Sequence, residues 1–146
     1  MFAKWETWVS TVKLRPKRLE QMVWSRKHGF AGTLDCWLAD VGDVETIIDW
    51  KTGKEVFIEA HLQNSAYRAA VREMKHGDPK RGLIVRIPKA IGEPTLEIVE
   101  ALPEEECFPV FLAAKEIWTF LEKHEAEKEA GAPVEVKEPA PKASPA

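Results

Sequence analysis

The stretch Ile47-Ile48-Asp49-Trp50-Lys51 constrains this chain more than any other. It closes a short apolar run, Glu45 to Lys51, rich in β-branched residues and stopped by the turn signal Thr52-Gly53-Lys54. These are the marks of a buried strand. Side chains alternate along a strand, so Asp49 and Lys51 share one face and Trp50 takes the other. Burying an acid and a lysine is costly unless the charges are paired or bind a metal. The end of this strand therefore has a chemical character that the rest of the run does not explain.

The preceding segment, Ala31 to Val41, is separated from that strand by Gly42-Asp43, so the two read as a hairpin. Asp35 then lies on a neighbouring strand, within reach of Asp49. Two carboxylates converging beside a lysine suit a hard divalent cation, which takes oxygen ligands and few protein groups. Such a site can activate water and stabilise a phosphoryl transition state, with the lysine orienting water or offsetting charge. Downstream, a helix is expected from about Glu59 to Lys75, with Leu62, Ala66, Ala69, Ala70 and Met74 as its apolar stripe. Gln63 and Tyr67 stand four residues apart, share one face and border that stripe.

In order along the chain, Glu20, Gly32-Thr33-Leu34-Asp35, Asp49-Trp50-Lys51 and Gln63-x-x-x-Tyr67 form a set that resembles the PD-(D/E)XK nuclease superfamily. The resemblance is closest to its RecB-like and Cas4-like exonuclease branch, which includes phage exonucleases. It runs from about Glu20 to Val71, and more loosely into the C-terminal part. It implies that Glu20 is the acid of the first motif and Asp35 the metal ligand of the second strand. It makes Asp49 and Lys51 the acid-x-lysine pair, with Asp where Glu often stands, and Gln63 and Tyr67 the Q-x-x-x-Y helix that positions DNA or the metal site. By the same resemblance, Mg²⁺ or Mn²⁺ is held by Asp35, Asp49, the Trp50 carbonyl and Glu20, and Lys51 is the catalytic lysine.

The implied activity is metal-dependent hydrolysis of single- or double-stranded DNA, foremost by an exonuclease of DNA repair, recombination or phage replication. Two alternatives stay open. One is a structure-selective endonuclease of the junction-resolvase kind, which does not characteristically carry Q-x-x-x-Y. The other is a non-catalytic nucleic-acid-binding module that keeps the nuclease fold. A missing acid or lysine would favour it, and none is missing. Many members of the branch begin with a longer helical region than precedes Glu20 here, which leaves room for a homo-oligomer or a replication or recombination partner to complete the DNA channel.

The rest of the chain is read around this core. Met1 to Val12 has helical spacing, Lys13 to Arg18 is a basic turn, and Leu19 to Ser25 alternates as a strand. Arg26-Lys27-His28-Gly29 is a second basic turn and a candidate DNA contact. Phe30 to Ala39, Val44 to Trp50, Gly82 to Pro88 and Thr95 to Ala101 are further strands, and a long helix is expected from about Glu105 to Ala130. Phe111, Leu112, Ile117, Phe120 and Leu121 are its expected inner face. The fold class is α/β: a central mixed sheet of about five strands flanked by helices, with a restriction-endonuclease-like core. Residues 1–130 form the nuclease-like domain, and 131–146 are a disordered Pro/Ala-rich tail. His61 is a further candidate near the cleft, and Trp24 and Trp37 are candidate base-stacking residues.

A net charge of −3 argues against a non-specific basic DNA coat, although carboxylates awaiting a metal add to the negative count. Cys36 and Cys107 make no C-x-x-C, so the four-cysteine iron–sulfur cluster of the Cas4 branch is not expected. Their use fits a reducing compartment. No apolar run has the length of a membrane span, and the expected location is the cytoplasm of a bacterial, archaeal or phage-infected cell.

Overall fold

The computed structural model describes residues 6, 8, 10, 15–41, 44–87 and 96–131, the side chains of 38–41 excepted. Most of the expected N-terminal helix and of the expected tail lies outside these residues, although Glu6, Trp8 and Ser10 are helical. The elements are β1 (Pro16–Ser25), β2 (Phe30–Val41), β3 (Val44–Lys51), α1 (Ile58–Glu73), β4 (Arg81–Arg86), β5 (Glu97–Glu100) and α2 (Glu104–Glu129). The strands form one five-stranded sheet in the order β1-β2-β3-β4-β5. β3 and β4 are parallel, and the other neighbours are antiparallel. This is the mixed α/β sheet that the sequence predicts. Parallel strands need a crossover, and α1 supplies it.

Met1–Ala114 form one compact unit and Lys115–Ala146 a second, so α2 begins in the first and continues into the second. In the first unit, one face of the sheet gathers Val23, Leu34, Trp37 and Ile47 against Tyr67, Ala70 and Val71 of α1. The other face gathers Cys36, Ile48, Leu83 and Val85, with Trp8, Trp50, Ile87 and Leu96 packed on them. β3 and β4 are buried because they sit inside the sheet with a cluster on each side.

Two features of β1 differ from expectation. The strand starts at Pro16, so Lys17 and Arg18 belong to it rather than to a turn. Proline is tolerated at the first position of an edge strand, where its missing N–H loses no ladder bond. The expected alternation holds from Gln21 onward, with Val23 and Ser25 buried and Met22 and Trp24 exposed. It breaks at Glu20, whose φ of 49° is left-handed.

The β1–β2 turn is held from outside. Gly29 takes φ 68°, and its N–H reaches Ser25 O at 2.9 Å. The Glu73 carboxylate, at the end of α1, accepts from the Arg26 and Lys27 amides and from the Ser25 hydroxyl. Glu73→Ala is expected to speed amide hydrogen exchange at Arg26 and Lys27 while leaving exchange in β3 unchanged. Equal exchange at the turn in both proteins would show that the turn holds itself.

On α2, Phe111 and Leu112 are half-buried as expected, but Ile117, Phe120 and Leu121 are exposed. Helical spacing shows which residues share a face, and it does not supply a partner for that face.

Candidate active site

Leu34 and Cys36 would share a face in a regular strand, yet they lie in clusters on opposite faces. β2 therefore reverses its alternation at Asp35. There it also parts from β3: Cys36↔Ile48 is the last pair of their ladder towards the end of β3. The N–H of Trp50, beyond that pair, donates to Asp35 Oδ2 at 2.8 Å. Asp35 stands in the gap between the separating strands, and its carboxylate replaces a ladder partner.

Asp49 follows Ile47 by two residues and lies beneath α1, 1% exposed. Asn64 of α1 donates from Nδ2 to Asp49 Oδ2 at 3.1 Å and to Ile47 O at 3.2 Å. Burial pushes the Asp49 carboxyl up to about 6; Lys51, the Asn64 hydrogen bond and Arg68 pull against this, and Asp35 adds to it. Lys51 Nζ donates to Gln63 Oε1 at 2.7 Å. The Tyr67 hydroxyl is pushed up to about 12, first by burial and then by the Asp49 and Asp35 charges, against a hydrogen bond with Gln63. It stays protonated at neutral pH. Its ring lies on the backbone of Gly32, where a Cβ would stand 2.8 Å from Tyr67 Cε1. Glycine at 32 is what lets the ring approach β2 so closely.

The structure thus brings Asp35, Asp49, Lys51, Gln63 and Tyr67 together. The other candidates stand apart from that group. Glu20 lies between Leu19 and Gln21, whose partners Cys36 and Leu34 flank Asp35. Its backbone is therefore level with the site, while the residue itself is exposed. Among the described residues no group of three or more His, Cys, Asp or Glu is placed to hold a metal ion. Glu20 itself takes a left-handed φ of 49°.

Arg26, Lys27 and His28 sit in the turn bound to Glu73, and His28 packs edge-on to Phe108 at 5.2 Å. From Gln63 to Glu73 the helix rises about 15 Å, so this turn is far along α1 from the carboxylates. His61 Nδ1 accepts the Leu102 N–H at 3.1 Å and anchors the chain entering α2; burial lowers its pKa. Trp37 is core, with the Lys17 ammonium 4.4 Å from its ring centroid. Trp24 is 40% exposed.

Two residues were not anticipated. Asn64 is fully buried and holds Asp49, and Arg68, 3% exposed, adds positive charge near it while donating to Leu102 O at 2.9 Å. Asn64 adjoins Gln63 and precedes Tyr67 by three residues. A polar residue in that position on a helix expected to cross the sheet was the available signal.

The donor set suits a hydrated hard cation. Mg²⁺ commonly uses one or two carboxylates and keeps several waters. Asp35 and Asp49 supply two, and a bound dication would relieve the burial that holds Asp49 near 6.

A sequence model of the PD-(D/E)XK nuclease superfamily matches residues 1–137. The mixed sheet and its helices are consistent with that superfamily's restriction-endonuclease-like core. No curated protein matches the chain. Among solved structures, the chain is similar to one titled "Crystal structure of SSO0001", at 15% identity and a TM-score of 0.45, over 81% of this chain and 56% of that one. The chain thus spans little more than half the length of that structure. Among the described residues no helix is long and apolar enough to cross a membrane.

Proposed function

Because the chain belongs to the PD-(D/E)XK nuclease superfamily, we propose that it hydrolyses phosphodiester bonds in DNA, with Asp35 and Asp49 holding a divalent cation, Mg²⁺ or Mn²⁺. The observation that carries the reading is the meeting of Asp35, Asp49, Lys51, Gln63 and Tyr67 where β2 and β3 part. When bound, such a cation supplies activation of water and neutralisation of phosphate charge. The Trp50 carbonyl, between the acid and the lysine in sequence, would serve as a further ligand for the same ion.

The side chains divide the remaining work. Asn64 fixes the Asp49 carboxylate, and the Trp50 N–H fixes that of Asp35. Gln63 holds the Lys51 ammonium in place, where it orients water and offsets charge gathering on the phosphate oxygens. Tyr67 closes the floor of the site with a neutral hydroxyl. The Lys51–Gln63 contact gives the Q-x-x-x-Y helix a direct role and supports the RecB-like, exonuclease form of the reading. Both cysteines are buried free thiols, which supports a reducing, cytoplasmic setting.

The test uses end-labelled linear and closed circular DNA with Mg²⁺, Mn²⁺ or EDTA. Linear DNA is expected to shorten from an end, and EDTA to stop it. Lys51→Ala is expected to slow cleavage by about 10²–10³-fold, the usual effect of removing one preorganised charge or donor. Nicked circles with the same dependence would make it an endonuclease. Intact DNA under every condition would end the catalytic reading.

A further inference from the structure

Beside Lys51 the site opens into a cleft of about 930 Å³, lined among others by Trp50, Lys51, Phe57, Leu62, Gln63 and Phe111. Phe57 is the unusual member. It occupies the N-cap of α1 with an extended backbone, φ −85° and ψ 158°, and makes no side-chain cap. Serine, threonine, aspartate and asparagine stabilise that position, and phenylalanine does not. The ring is only partly covered: Phe57 is 54% exposed, lying over the turn after Lys51, where a Cβ on Gly53 would be 3.9 Å from Phe57 Cε2. An aromatic face left open at a position that folding would fill otherwise, in the same cleft as the candidate catalytic lysine, calls for a planar partner.

We propose that this cleft takes an unpaired nucleobase of single-stranded DNA, stacked on Phe57, with the adjoining phosphate at Lys51. The proposal rests on the nuclease reading above and narrows its substrate. Bases in an intact duplex are already paired and stacked, whereas an unpaired base offers a free face to an aromatic ring. The chain carries a net −3, and Glu55 and Glu59 line the same cleft and repel a phosphate backbone, so Lys51 and base contact have to supply the affinity. The cleft is continuous with the proposed reacting centre, since Lys51 and Gln63 line it and are bonded to each other.

The experiment places 2-aminopurine at either end of a single-stranded oligonucleotide and of the matching blunt duplex. Fluorescence is read on binding in EDTA, and cleavage is then followed with Mn²⁺. Wild-type protein is expected to quench the single strand and not the duplex. Phe57→Ala is expected to abolish the quench and raise KM for single strands by about 5- to 150-fold, the loss of one base–aromatic stack, with kcat changed far less. Phe57→Trp is expected to restore the quench, and circular dichroism checks that both variants fold. If wild type cleaves but Phe57→Ala keeps its quench and KM, stacking is refuted and the nuclease reading stands. Equal KM for single strand and blunt duplex also refutes it. If wild type cleaves nothing, the nuclease reading fails and this proposal falls with it.

Discussion

Asp49→Asn is expected to make this protein harder to unfold and nearly unable to cut DNA. The two effects have one origin. Burial holds the Asp49 carboxyl at about 6, against an ordinary value of 3.8. Below 3.8 folded and unfolded chains both carry the proton. Between 3.8 and 6 the unfolded chain releases it while the folded chain keeps it, so stability falls as pH rises through that window. Above 6 the loss is complete and constant. A shift of this size corresponds to about 2–3 kcal/mol.

The neutral amide escapes that penalty, keeps the volume of the side chain and still offers Asn64 an oxygen. In EDTA at pH 7.5 the variant is therefore expected to melt about 5–10 °C higher, with the difference vanishing below pH 4. If Asp49 holds the cation as proposed, cleavage is expected to fall about 10³-fold, since loss of a carboxylate ligand removes several kcal/mol of transition-state stabilisation. Parallel melts from pH 4 to 8 and cleavage rates check both halves. A variant that melts below wild type at neutral pH would show that Lys51, Asn64 and Arg68 outweigh burial.

Gly82→Val is the second large effect, and it acts through packing. Gly82 lies on β4 directly under Asn64. A Cβ there would overlap Asn64 Oδ1, come within 2.7 Å of Asn64 Cγ and lie 2.8 Å from the Ala101 Cβ. Neither neighbour can give way easily: Asn64 is fully buried, and the Ala101 N–H bonds to Gly82 O at 2.9 Å. Overpacking of this kind commonly costs about 1–3 kcal/mol, and the upper end is expected here because a branched side chain replaces a hydrogen. Asp49 would lose its Asn64 donor in the same event, so cleavage should drop even at temperatures where the variant is folded. Denaturant unfolding and cleavage at low temperature measure the two parts. Gly53→Ala is the control, since a Cβ there meets nothing closer than 3.7 Å. An unchanged denaturant midpoint for Gly82→Val would mean that α1 lifts from the sheet without loss.

The legible parts of the chain were those where local pattern and tertiary role coincide. β3 could be read because an apolar β-branched run is what a central strand needs, and its closing Asp49 and Lys51 stood out against it. The crossover helix could be located, but only part of its buried face, Ala66 and Ala70, with Met74 packed on the core. Periodicity counts apolar residues, whereas α1 buries Asn64, Ser65 and Arg68, each satisfied at least in part by a partner that only the fold supplies. The left-handed backbone at Glu20 had no mark in the alternating strand pattern, which assumes an extended chain throughout. The gap that seats Asp35 has no sequence mark, since it arises from two strands ceasing to pair. Ile117, Phe120 and Leu121 were assigned to a core because spacing cannot tell a covered stripe from an open one.

The crossover also sets an order in time. As the chain leaves the ribosome, Asp35, Asp49, Lys51, Gln63 and Tyr67 all emerge before β4 does. Yet β4 is the strand that runs parallel to β3, with Ile84 beside Asp49, and Gly82 is the gap into which Asn64 fits. A nascent chain that has reached Tyr67 holds every one of those side chains and lacks the strand that completes their setting. The proposed site therefore gains its full setting only after every residue assigned to it has been made, so the chain can carry the proposed groups for a time before the fold has arranged them.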